Sequence, residues 1–519
     1  MPRYFLDPFG CAKNQVDAET MMALLASAGW SAAGDPAGAD LIIVNSCGFI
    51  ESAKRESINA VLSWRKNYPH KKILMAGCLA QRYAGELAQA MPEADGFFGN
   101  ADLQGIAEAA RSVLLSKGGE PPPSLRPPRP DGLRCPPLPP PAGGPAPRLS
   151  PGGAAAPGDS AEADWGPGGP AQGGHSQGDH GRENHVQGDY VSGEPYVPGE
   201  SYVPGERPLL SLPGAAYVKI SEGCDNRCSF CSIPLIRGPL KSRSIAGISA
   251  ECRSLLGRGI RELNIIGQDI ASFGKDRPGG GDLPALLEAI AAFPENFWVR
   301  LLYLHPDHIP LSILDIMGRD PRFLPYFDIP IQHASGPLLK AMNRRGDGES
   351  YLDLIGRIRS ALPDAVIRST FLTGFPGETE GDFELLLDFQ ERAALDWMGC
   401  FTYSREEDTP AYSMGKRVPR RVAAERKRLL EERQQGISEG RMERFLDREL
   451  EILVEEKFEQ AGGDSPERGL YLGRAYCQAP EVDGAVLISS GEALNPGSLA
   501  RCRITGRAGI DLEGRIVKG

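Results

Sequence analysis

Residues 216–231 read AYVKISEGCDNRCSFC. A short apolar run, Ala216–Ile220, breaks at Gly223 into Cys224, Cys228 and Cys231, a CxxxCxxC spacing. Three thiolates this close hold three corners of an iron–sulfur cube and leave the fourth iron open. An open iron binds and cleaves a ligand, whereas a fully ligated cluster mostly passes electrons. With 11 Cys in 519 residues, chance sets this spacing in only about one chain in two hundred. Strand-like runs recur downstream at Glu262–Ile266, Trp298–Leu304, Tyr326–Ile331, Val366–Leu372 and Met398–Tyr403. Helix-compatible segments lie between them: Ile248–Leu256, Leu283–Ala292, Ser312–Met317, Tyr351–Ala361 and Thr379–Ala393. Six strand–helix units predict a partial (βα)6 barrel, short of the eight that close, with function at the carboxyl ends of its strands. Cys224 follows the first strand. Gly267-Gln268-Asp269, His305-Pro306, Gln332-His333 and Gly374–Glu378 follow later ones and are expected to rim the same mouth. His305 and His333 read either as polar substrate contacts or as structural histidines, the commoner role.

Upstream, a second pattern repeats. Arg3–Leu6 leads to Cys11, Leu41–Val44 to Cys47 and Ile73–Ala76 to Cys78, with Gly or Ser beside each cysteine. These are apolar runs of the buried parallel-strand kind. Helical patterns at Asp17–Ala28, Ser52–Lys66 and Gly85–Met91 separate them. Alternating strand and helix predicts an open parallel α/β sheet, whose ligands gather beyond the strands' carboxyl ends. Cysteines 36 and 31 residues apart converge there. Three separate core cysteines are the plainer alternative, and the recurrence at strand ends argues against it.

Residues 216–244, AYVKISEGCDNRCSFCSIPLIRGPLKSRS, with NSCGFIESAKRE (45–56) and AGCLAQRY (76–83), resemble the radical S-adenosylmethionine (SAM) enzymes, and within them the methylthiotransferases. The resemblance covers 1–115 and roughly 214–519. It implies a transferase with two 4Fe–4S clusters and SAM. Cys224, Cys228 and Cys231 match the ligands of the SAM-cleaving cluster, and Cys11, Cys47 and Cys78 those of an auxiliary one. Phe230 matches an aromatic near the adenine, although core packing accounts for it equally well. The GFPGE turn at Gly374 matches a SAM-holding segment. As the resemblance implies it, one SAM methylates a sulfur carried by the auxiliary cluster, and a second is cleaved to a deoxyadenosyl radical. The radical takes hydrogen from a substrate carbon, which captures the methylated sulfur. An electron donor and a sulfur source are implied partners. One branch of the family modifies adenosine in tRNA, the other an aspartate β-carbon in small-subunit ribosomal protein number twelve, a basic protein. LYLHP (302–306), FDIPIQHAS (327–335) and IIGQD (265–269) resemble the ribosomal-protein branch; the tRNA branch usually has Ser-Gly where His333-Ala334 stand. A reading from another class is a non-catalytic iron–sulfur carrier or scaffold. It needs a fourth ligand per cluster, and Cys135, Cys252, Cys400, Cys477 and Cys502 stand away from both sets.

Composition divides the chain into 1–116, 117–213, 214–443 and 444–519. Residues 117–213 are dominated by Gly, Pro, Ser and Ala and are expected to be a disordered insertion. Three six-residue copies from Tyr190, Tyr196 and Tyr202 look like a slippage product, and His175, His180 and His185 like solvated residues rather than a metal site. Pro419–Arg448 reads as a mixed-charge solvated helix joining two domains. Alternation of Leu450, Ile452 and Val454 with glutamates opens a small five-strand β-barrel. GRAYCQAPEVDG (473–484) resembles the TRAM module, often an RNA binder. Residues 449–519 hold 12 Asp+Glu against 8 Lys+Arg. That balance suits a basic protein partner better than phosphates and makes RNA contact secondary. The whole-chain charge of −11 excludes a generally basic polyanion binder. With no 18-residue apolar stretch and no signal-peptide core, no membrane association is expected; thiol-rich and unsecreted, the chain reads as cytoplasmic.

Overall fold

The computed structural model describes residues 1–116, 124–125, 207–458 and 469–517. The hexapeptide copies as far as Glu206, the three histidines and Cys135 lie outside the described residues. Strands β1 (Arg3–Pro8), β2 (Ser31–Ala32), β3 (Leu41–Ser46), β4 (Lys72–Gly77), β5 (Gly96–Phe98) and β6 (Ser124–Leu125) form one sheet in the order β2-β1-β3-β4-β5-β6. Every pairing in it is parallel. In β3, Leu41 and Ile43 pack on one face with the helices Ala12–Ser27 and Ile106–Leu115. Ile42 and Val44 pack on the other with Glu51–Asn67 and Cys78–Ala90. Burial on both faces explains the unbroken apolar runs.

Two helices begin earlier than their apolar periodicity suggests. Ala12–Ser27 starts at Cys11, whose extended backbone serves as the N-cap without a capping side chain. Cys78–Ala90 starts on the cysteine itself and bends at Tyr83 (φ −126°). Cysteine carries none of the N-cap signals of Ser, Thr, Asp or Asn, so neither start is marked in the sequence.

The second sheet is the partial barrel: β7 (Ala215–Lys219), then β10 (Glu262–Ile266), β11 (Trp298–Leu301), β12 (Phe323–Asp328), β13 (Val366–Thr373) and β14 (Trp397–Thr402). All six are parallel, in the order β14-β13-β12-β11-β10-β7. A ribbon of β8 (Ser221–Glu222) and β9 (Lys241–Ser242) leaves the first strand. β12 starts three residues before the expected Tyr326. Pro325 lies inside it, and the missing N–H is absorbed where the β11–β12 register shifts. β11 ends at Leu301 rather than Leu304, because Tyr303 turns to φ +68°.

The chain closes in a barrel of β15 (Glu449–Phe458), β16 (Gly469–Ala475), β17 (Val486–Ser490), β18 (Leu499–Ala508) and β19 (Asp511–Ile516), ordered β15-β16-β17-β19-β18. The joining helix runs Arg420–Met442, shorter than expected, and buries Ala423, Leu430 and Met442. Arg300, fully buried, bonds Glu262 at 2.8 Å and the Tyr476 carbonyl at 2.7 Å; Arg474 meets Glu262 and Glu455 at 2.6 Å each. Trp298 donates to Glu451 at 3.0 Å, and the Tyr326 hydroxyl to Asp483 at 2.5 Å. Glu451 and Asp483 bond to the neighbouring barrel, and Glu455 pairs with Arg474 inside the module.

The segment leading into β7 carries a correction. Arg207, placed in the disordered insertion by composition, is 1% exposed. It pairs with Glu19 of the first domain and, at 3.2 Å, with Glu251 of the second. Leu210 N–H donates to Glu19 at 2.8 Å and Gln15 to Ser211 at 3.0 Å. Residues 207–213 are therefore packed structure: a buried guanidinium requires fixed partners.

Candidate active site

Cys11, Cys47 and Cys78 stand immediately beyond β1, β3 and β4, three neighbouring strands whose carboxyl ends open on one side. Glycines let their loops close on one another. A Cβ on Gly10 (φ +96°) would stand 2.9 Å from the Cys47 Cβ, and one on Gly48 would stand 2.9 Å from the Cys78 carbonyl carbon. Asn14 ties the three loops together. Its amide donates to the Phe9 carbonyl at 2.6 Å and to those of Asn45 and Ser46 at 3.3 Å. Cys47 and Cys78 are buried, while Cys11 is open to solvent. Burial pushes the Cys47 thiol up to about 12 and raises that of Cys78. Enclosure by protein also acts upward on Cys11, but the charges of Lys13 and Arg237 and the Asn14 and Lys13 amides bring its thiol below the ordinary value.

The barrel set is fixed differently. Cys224 follows β8, its N–H bonded to the Gly238 carbonyl at 3.1 Å, and Cys231 N–H donates to the Cys228 carbonyl at 3.1 Å. Asn226 donates to Asp269 at 2.7 Å, and Leu240 N–H to Asp225 at 3.1 Å. Ser229 N–H and Oγ bond to the carbonyls of Met342 and Ala341. Burial raises all three thiols, Cys224 to about 12. The thiols of each set lie near enough to perturb one another electrostatically.

Each set offers three soft thiols, free of disulfides. That donor set fits an iron–sulfur cluster with one iron left to another ligand. Among the described residues no three His, Cys, Asp or Glu close on a point as ligands of one ion would; a cube holds its thiolates at separate corners.

Arg237 joins the two sets. Its guanidinium lies 3.3 Å from the Cys78 Sγ and 2.9 Å from Asp17 on the first domain, and 2.7 Å from Glu222, two residues before Cys224. Lys219 bridges the same carboxylates, at 2.5 Å from Asp17 and 2.6 Å from Glu222. Burial acts to raise the Glu222 carboxyl, but Arg237 and Lys219 hold it down at about 2. Asn100 gives Cys78 a second donor at 3.3 Å.

The remaining sequence-derived residues fall at the barrel mouth with different environments. Phe230 packs half-buried against the main core. Gly374 (φ +77°) fits tightly against Ala423, and its amide and that of Phe375 donate to Glu378, which Arg426 holds at 2.9 Å. His333 is fully buried, its Nδ1 accepting from the Ala334 and Ser335 amides at 3.0 Å. That is the structural role, and the substrate-contact reading is dropped. His305 caps a short turn, stacked on His308 at 4.9 Å, and burial drives its pKa down to about 3, keeping it neutral. Cys252, Cys400, Cys477 and Cys502 are buried core thiols. Sequence reasoning passed over Lys13 and Asn14, although they stand beside Cys11. Asn100 and Arg237 reach Cys78 only through the tertiary fold.

Family models match all three domains. Residues 3–99 match the uncharacterized protein family UPF0004, 218–389 the radical SAM superfamily and 448–517 the TRAM domain. The chain is 40% identical to the ribosomal protein uS12 methylthiotransferase RimO of Treponema denticola, over 98% of this chain and 99% of that protein. It is 37% identical to RimO of Geobacter sulfurreducens, over 98% and 97%. Among solved structures it resembles the radical SAM methyltransferase TsrM of Kitasatospora setae. That match has a TM-score of 0.48 at 13% identity, over 77% of this chain and 73% of that one.

Proposed function

The chain belongs to the RimO family of radical SAM methylthiotransferases, and we propose on that premise that it adds a methylthio group to an aspartate β-carbon of ribosomal protein uS12. One arrangement carries the reading: two three-cysteine sets, one on each domain, joined across the domain boundary by the guanidinium of Arg237. A carrier of electrons has no need to face two incompletely ligated clusters toward each other.

In this reading Cys224, Cys228 and Cys231 hold the SAM-cleaving 4Fe–4S cluster, and Cys11, Cys47 and Cys78 the auxiliary one. When bound, the two clusters supply reductive cleavage of SAM and an iron that carries sulfur. The chain's own residues do the rest. Asn14 and the glycines at 10, 48 and 77 set the auxiliary thiolates. The Asn226–Asp269 bond and the Ser229 contacts stiffen the barrel loop. Loading strips protons from thiols that burial has raised, so assembly releases protons. Phe230 and the turn at Gly374 flank the barrel mouth on the side proposed for SAM. Arg237, Lys219, Asp17 and Glu222 form a charged seam that fixes one domain on the other. An electron donor and a sulfur source of the cytoplasm complete the reaction; among the described residues no helix is long and apolar enough to cross a membrane.

Incubating the reconstituted protein with SAM, a reductant, sulfide and uS12 should add one methylthio group to a uS12 aspartate, read by mass spectrometry of the digested product. A methylthio adenosine in tRNA supplied in parallel, with uS12 unchanged, would move the chain to the other branch.

A further inference from the structure

A second junction joins the two domains, and it shares no residue with the Arg237 seam. Glu406, in the loop after β14, is 3% exposed. One of its oxygens meets two cations of the first domain, Lys54 Nζ at 2.5 Å and Arg82 Nη1 at 2.5 Å. The other accepts from the Ser404 hydroxyl at 2.7 Å. Arg82 also donates to the Glu407 carbonyl at 2.6 Å. A carboxylate this enclosed stays charged only where cations are fixed beside it. The cations tie the junction to the cysteines. Lys54 lies in the first turn of Glu51–Asn67, the helix that follows Cys47, and Arg82 lies one turn beyond Cys78 in Cys78–Ala90. Ile50 gives the first of these helices no side-chain cap. Ser404 of the barrel domain accepts its Glu51 amide instead, at 3.4 Å.

The same loop goes on to the barrel site. Thr409 Oγ donates to the Glu406 carbonyl at 2.6 Å. Ala411 N–H donates at 2.8 Å to the carbonyl of Ser229, which stands between Cys228 and Cys231. Tyr403 packs edge-on against Phe375 with ring centres 5.7 Å apart, and the Lys416 carbonyl accepts the Gly377 amide at 2.9 Å. One stretch, residues 403–416, therefore touches the helices after Cys47 and Cys78, the loop of the barrel cysteines and the turn at Gly374.

We propose that residues 403–416 form a strap that sets how the two cysteine sets face each other, with Glu406 as its positioning residue. The proposal rests on reading the chain as a uS12 methylthiotransferase. In that reading one substrate carbon has to lie within reach of both sets, whereas SAM cleavage needs the barrel set alone. Loosening the strap should therefore spare SAM cleavage and cost product.

The test compares reconstituted wild type, Glu406→Gln and the charge swap Arg82→Glu/Glu406→Arg, which exchanges the two ends of the pair. Deoxyadenosine and methylthiolated uS12 are measured in one reaction, and pulsed electron paramagnetic resonance gives the separation of the two reduced clusters. Glu406→Gln should keep wild-type iron and deoxyadenosine while methylthio product falls roughly 10-fold or more, since a misplacement of ~1 Å costs on the order of 100-fold. The separation, narrowly distributed in wild type, should broaden in Glu406→Gln. The swap should restore the narrow distribution and most of the product. An unchanged separation in Glu406→Gln, a swap that fails to restore it, loss of cluster iron, or deoxyadenosine falling in step with product would overturn the proposal. If wild type leaves uS12 unmodified, the functional reading fails, and the separations alone still decide whether the strap holds the two sets in place.

Discussion

Arg237 shows how one side chain serves both halves of the site. It gives a charged donor to the Cys78 sulfur at 3.3 Å while Asp17 and Glu222 neutralise it. Donors to a ligand sulfur stabilise the more reduced, more negative cluster and so raise its potential. Replacing Arg237 with Gln should therefore make the Cys78-side cluster harder to reduce, a more negative midpoint in a spectroscopically monitored redox titration. The barrel cluster, not in contact with Arg237, should keep its midpoint. An unchanged auxiliary midpoint would mean that the guanidinium only joins the domains. The same substitution leaves Asp17 to Lys219 alone and should cost about 3 kcal/mol of stability, the scale of a broken buried pair.

At the scale of elements, the seam between β10, β11 and the closed barrel has its own consequence. Glu262 lies between Arg300 and Arg474 at 2.8 and 2.6 Å. Burial acts to raise its carboxyl, but Arg474 and Arg300 depress it to about 2. A depressed carboxyl contributes its stability fully above its ordinary value of 4.5 and loses it as pH falls toward 2. Glu262→Gln should cost about 3 kcal/mol at pH 7, and its deficit against wild type should narrow steadily below pH 4.5. Urea unfolding followed by fluorescence reads this directly, because Trp298 bonds Glu451 and Trp397 the Cys477 carbonyl across this seam. A deficit independent of pH would remove charge from the account.

The elements themselves were largely legible. Six parallel barrel strands and a five-strand closed barrel follow from apolar runs and glycine turns, since burial on both faces writes itself as uninterrupted Val, Ile and Leu. Less visible were features that no local pattern marks. Cys11 caps a helix without a capping side chain, Pro325 sits inside β12 at a register break, and Arg207 takes its order from Glu19 and Glu251 on two domains. Charge totals do not show such pairing: Glu451 and Asp483 count as acids in the sequence but meet Trp298 and Tyr326 in the fold.

At the scale of the whole molecule, the proposed function has each domain bring its own cysteine set, with its own task, to the boundary that Arg237 spans. Cys47 lies beyond β3 in the first domain, its N–H held by the Ser57 hydroxyl at 3.0 Å. The Cys47→Ala variant, reconstituted with iron and sulfide, tests the claim most directly, with deoxyadenosine and methylthiolated uS12 measured in one reaction. Iron should fall by about one cluster's share when a ligand is lost. Deoxyadenosine should still form, because Cys224, Cys228 and Cys231 are untouched, while methylthio transfer to uS12 disappears. A variant that still methylthiolates uS12, or that no longer cleaves SAM, would contradict the division of labour between the two sets.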